Sequence, residues 1–105
     1  MIKREIKTVE QFSQLADELV QDMRDELAVN CSYKVIKQEV GGYYDVSVVD
    51  ANGAFNIITE SVIRDVQKVV GAYDALYKVL VTYHAGTVED QGMNKVAIVI
   101  VIKQR

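Results

Sequence analysis

Val96 to Ile102, inside the segment MNKVAIVIVIKQR, runs seven residues without a polar side chain. Read as a strand, one face carries Val96, Ile98, Ile100 and Ile102, and the other Ala97, Val99 and Val101. A sheet with helices on one face wets the other, so its strands alternate apolar and polar residues. This one does not. Exposing its larger face would forgo roughly 1.5–3 kcal/mol per side chain. The run is far short of the eighteen or so apolar residues that cross a membrane, and Lys95 and Lys103 bound it. The segment therefore predicts a strand covered on both faces. The expected cover is a second copy of the chain, packed sheet to sheet or paired along an edge. Ala97, Val99 and Val101 are the expected interface residues, continued by Val79, Val81 and Tyr83 on the preceding strand.

The rest of the sequence supplies few elements with which to cover that strand. With 105 residues, half of them hydrophobic and a quarter charged, the chain reads as a single globular domain spanning 1–105. It has no proline, so long stiff linkers are not expected. Thr8-Val9-Glu10-Gln11 is a capping box, followed by Phe12, Ala16, Leu19, Met23 and Leu27 at helical spacing. This predicts a first helix over about 9–29. SYKVIKQEV and YYDVSVVD flank Gly41-Gly42, a hairpin signal, because primed two-residue turns need positive φ. DANG then reads as a turn and AFNII as a short strand. Thr59 or Glu60 opens a second helix with Val62, Ile63, Val66, Val69, Val70 and Tyr73 on one arc, and Gly71 is the expected stop. ALYKVLVTYH reads as a strand, AGTVEDQG as a loop, and the apolar run as the closing strand. IKREIK is a weak additional strand.

The expected fold is thus α+β: two amphipathic helices packed on one face of a largely antiparallel sheet of four to six strands. The order is (β)-α-β-β-(β)-α-β-β. SYKVIKQEVGG and LYKVLVTYHAG echo each other 44 residues apart, either as a duplicated unit or by chance, since YKV is a common pattern of half-buried strands; a strand in IKREIK would make the halves two β-α-β units.

No catalytic or cofactor motif emerges. His84, the only histidine, has Glu89 and Asp90 nearby, but this set falls short of the three or four ligands zinc takes, so no metal and no cofactor is expected. Cys31, the single cysteine, follows a helix C-terminus, where the dipole disfavours a thiolate; it reads as a small buried hydrophobe. Asp50 begins no calcium loop, since Ala54 and Ser61 stand where ligands are required. GTVEDQGMNK is not a phosphate loop: its spacing is wrong and it leads into a strand. MIKREIKTVEQ lacks an apolar signal region, so a cytoplasmic location is expected and Asn30-Cys31-Ser32 reads as a chance sequon.

Charge is unevenly placed. The net charge is −3, yet helix one alone carries Glu10, Asp17, Glu18, Asp22, Asp25 and Glu26 against Arg24. That face is a solvated surface or a docking site for a basic partner, with Glu18, Asp22, Asp25 and Glu26 as candidate contacts. Nucleic acid is not an expected partner, because the lysines do not cluster and no aromatic signature accompanies them. The six tyrosines fit a protein interface better.

The element order, small size and acidity resemble the type III secretion chaperones, whose order normally continues into a further helix. The version with an initial strand resembles the dimeric α+β barrel proteins, whose paired sheets enclose an apolar pocket. Both are resemblances of topology, with no residue motif to carry them. They imply either of two functions. The first is a non-catalytic interaction module acting as a homodimer, such as an adaptor, chaperone-like binder or inhibitor. The alternative is a small-ligand protein or enzyme with Tyr83 and His84 as the polar groups of an apolar pocket.

Overall fold

The computed structural model describes residues 2–27, 33–51 and 60–104. The AFNII strand, the end of the first helix beyond Leu27, and Cys31 lie outside the described residues. The elements are α1 (Val9–Glu26), β1 (Tyr33–Val40), β2 (Tyr43–Asp50), α2 (Glu60–Leu76), β3 (Val79–Asp90) and β4 (Met93–Gln104). The fold is α+β.

The capping box forms as the sequence predicts. Thr8 Oγ1 accepts from the Gln11 backbone N–H at 3.1 Å, and Gln11 Oε1 accepts from the Thr8 N–H at 3.2 Å. Phe12, Leu15, Ala16, Leu19, Val20 and Met23 then bury one side of α1. In α2 the corresponding residues are Val62, Val66, Val69, Val70 and Tyr73. Gly71 does not end that helix. The apolar period carries on through Tyr73, and the Tyr77 N–H still reaches the Tyr73 carbonyl at 3.0 Å.

The four strands form one antiparallel sheet in the order β1-β2-β4-β3. Chain order and sheet order together make two α-β-β halves, with β2 and β4 meeting in the middle. That arrangement replaces the pair of β-α-β units expected from a first strand in IKREIK. Among the described residues that strand is reduced to one bridge, parallel between Arg4 and Tyr77. Arg4 donates to the Leu76 carbonyl and accepts from the Lys78 N–H, both at 2.8 Å.

Both hairpins close with two residues at positive φ, Gly41 and Gly42 in the first and Gln91 and Gly92 in the second. This is the twist that suits a two-residue turn. The second hairpin departs from the sequence expectation. AGTVEDQG is not a loop: β3 runs without interruption from Val79 opposite Gln104 to Asp90 opposite Met93.

The helices share one apolar cluster with Val46, Val48, Ile98, Ile100 and Ile102 of the central strands and Val35, Val79 and Val81 of the outer ones. The strand members belong to one face by register. On the other face Val49, Ala97 and Val99 form a second cluster, with Ile36, Val88 and Val101 packed against it.

The second cluster exists because the long hairpin curls. β4 pairs with β2 only from Ala97 to Ile102, so the part beyond Ala97 overhangs the end of β2. In a flat sheet of this order β1 and β3 would lie about 14 Å apart. Yet Lys34 of β1 and Asp90 of β3 form an ion pair at 2.7 Å. The overhanging end therefore folds across the helix-free face and brings Val88 onto Val49 and Val99. A sheet twists in one sense by its backbone geometry, and a two-stranded overhang has the freedom to coil further.

Candidate interaction site

The curl is held by a small polar cluster. Asp90 accepts from Lys34 Nζ and Lys95 Nζ, each at 2.8 Å. Lys95 is only 4% exposed, and its ammonium also donates to the Asp50 carbonyl at 3.0 Å. Hydrogen bonds from Lys34 and then Lys95 hold the Asp90 carboxyl below its ordinary range, outweighing desolvation. A buried ammonium is tolerated because a carboxylate and a carbonyl oxygen both accept from it.

This closure corrects part of the reading of the last strand. Ala97 and Val99, expected beneath a second chain, are already buried within one chain; Val101 is half-buried. Val79 and Val81 sit beneath the helices, in the main cluster. Tyr83 shares their face, and its hydroxyl accepts from Gln67 Nε2 of α2 at 2.7 Å. The six residues expected at one interface thus divide between two faces of the sheet. The error is one of parity: β3 pairs Val81 with Ile102, so the odd residues of β3 share a face with the even residues of β4.

Tyr83 and His84 divide in the same way. Neighbours on a strand point to opposite faces, so the phenol faces α2 while the imidazole lies over Gly86 on the helix-free side. They do not form the polar pair of one pocket. Asp90, a possible companion for His84 in the sequence, is engaged by Lys34 and Lys95 instead.

The acidic face of α1 is present, but most of its carboxylates have partners on the chain. Asp22 Oδ2 accepts from the Tyr73 hydroxyl at 2.6 Å, and Glu18 accepts from the Tyr77 hydroxyl at 3.4 Å. Burial and the neighbouring Asp22 carboxylate raise the Tyr73 phenol above its ordinary value. Glu26 pairs with Lys68 at 3.2 Å and Asp25 accepts from Gln21 at 2.9 Å, while Asp17 pairs with Lys37 of β1. Asp22, Asp25 and Glu26 line an open cleft between the helices, facing Lys68, Val69, Ala72 and Tyr73. What sequence reasoning missed here are Lys68 and the Tyr73 hydroxyl of α2, and the Tyr77 hydroxyl just beyond it, which turn toward these acids. Their trace in the sequence is Tyr73 and Tyr77, four residues apart.

The β3–β4 hairpin carries four of the seven exposed large hydrophobic side chains among the described residues. Leu80 is 41% exposed, Tyr83 38%, Met93 43% and Val96 47%. No strand among the described residues pairs with the outer side of β3. No group of three or more potential metal ligands occurs among the described residues, and no helix among them is long and apolar enough to cross a membrane. No family model, curated protein or solved structure matches the chain.

Proposed function

We propose that the protein is a non-catalytic interaction module that works as a homodimer, of the adaptor, chaperone-like binder or inhibitor kind. The observation that carries this reading is the β3–β4 hairpin. A long strand lies at the sheet edge with no strand among the described residues on its outer side, and exposed apolar side chains flank it. Edge strands of this sort recruit further strands unless charge, proline or a bulge prevents it. The acidic cleft beside Asp25 is a second docking place, suited to a basic segment of another protein. Asp25 is its most available carboxylate, since among the described residues it is engaged by Gln21 of its own helix alone.

Light scattering at micromolar concentration tests the homodimer. The expected mass is twice the 11.8 kDa of the chain. A mass equal to one chain across that range overturns the reading. For the cleft, Asp25→Lys should weaken binding of an oligolysine peptide severalfold, while the helix content stays unchanged.

A further inference from the structure

We infer that the outer edge of β3 pairs with the same edge of a second copy, antiparallel and centred on His84, joining two four-stranded sheets into one. This rests on the homodimer reading and names its surface.

The turn at Gln91-Gly92 makes Asp90 and Met93 a hydrogen-bonded pair. Counting back, Val88, Gly86, His84 and Thr82 direct their backbone groups to β4. The residues between them, Val81, Tyr83, Ala85, Thr87 and Glu89, direct theirs outward. The register is free of bulges along the whole strand.

None of the usual guards against strand addition is present there. From Val79 to Val88 there is no Lys, Arg, Asp, Glu or Pro. The opposite edge contrasts with it: β1 carries Lys34, Lys37 and Glu39, and both lysines are held in ion pairs. One edge of this sheet is protected by charge and the other is not.

A second copy fits the unprotected edge by charge and by side chain. The strand begins beside two bases, Arg4 and Lys78, and ends on Glu89, all exposed. Antiparallel self-pairing sets each basic start against the other copy's acidic end. The Lys78 N–H is taken by the Arg4 carbonyl, so the regular stretch of β3 runs from Val79 onward. A two-fold axis at His84 uses it from Val79 opposite Glu89 inward. It sets Leu80 opposite Val88, and Val81 opposite Thr87 as a hydrogen-bonded pair. Moving the axis to Ala85 would instead set Leu80 against the Asp90 carboxylate.

Ala85→Pro tests this directly, because its N–H is directed outward and a proline there leaves the β3–β4 ladder intact. The dimer dissociation constant should rise about a hundredfold, as two symmetry-related hydrogen bonds are lost. His84→Cys, in a Cys31→Ser background, should cross-link to its copy when an oxidant is added, because the two-fold axis makes the two residues a directly opposed, non-hydrogen-bonded pair, whereas Thr82→Cys should not. If Ala85→Pro fails to fold, as judged by circular dichroism, the cross-link decides alone. A wild-type dimer that Ala85→Pro does not weaken and His84→Cys does not cross-link overturns the edge proposal but leaves the homodimer reading standing. Cross-linking by Thr82→Cys and not by His84→Cys overturns the register centred on His84. A monomeric wild type overturns both.

Discussion

Lys95 is the residue on which the helix-free face depends. It is buried, yet its charge is answered by Asp90 and the Asp50 carbonyl. Lys95→Met keeps the stem and removes the ammonium, leaving oxygens without their donor; this should cost about 1.5–3 kcal/mol in urea unfolding. Asp90 gives the same cluster a pH dependence. Its folded pKa lies below the unfolded value, so its stabilisation is complete above the unfolded value and is lost as pH falls through the folded one. Stability measured from pH 5 down to about 2 should therefore decline, and Asp90→Asn should remove Asp90's share of the decline. None of this is legible in the sequence, where Lys34 and Asp90 stand far apart and only the curl of the sheet joins them. The Thr8–Gln11 capping box was legible, because both partners lie within one helical turn.

At the scale of elements, periodicity identified both helices, the first hairpin and the last strand, while glycines misled at two boundaries. Gly71 looks like a helix stop but lies inside α2 with open space where a Cβ would be. Gly71→Ala should stabilise the protein by about 0.5–1 kcal/mol; a loss of stability would mean that the helix ends there after all. Gly86 looks like part of a loop but is a strand residue, and a Cβ on it would meet Val99 Cγ2 at 3.4 Å. The true turn is one residue pair, Gln91-Gly92, lacking the Asn-Gly or Asp-Gly signature. Gly92 has φ +78°, so Gly92→Ala should lower stability by about 1–2 kcal/mol. Thermal or urea unfolding of the two alanine variants should thus move in opposite directions.

For the molecule as a whole, the two-faced strand has a partly internal explanation. Ile98, Ile100 and Ile102 pack beneath the helices, and the curled hairpin covers Ala97 and Val99. A binary pattern reveals that a face must be covered but not what covers it, because the answer lay in a coil between elements distant in sequence. The exposed surface that calls for a partner has moved accordingly, from the face of β4 to the edge of β3. Amide hydrogen exchange followed residue by residue along β3 tests that edge most directly. In concentrated solution the outward amides of Val81, Tyr83, Ala85, Thr87 and Glu89 should be protected as well as those of Thr82, His84, Gly86 and Val88. They should lose that protection on dilution. Free exchange of the outward set at every concentration, beside a protected inward set, would contradict the account.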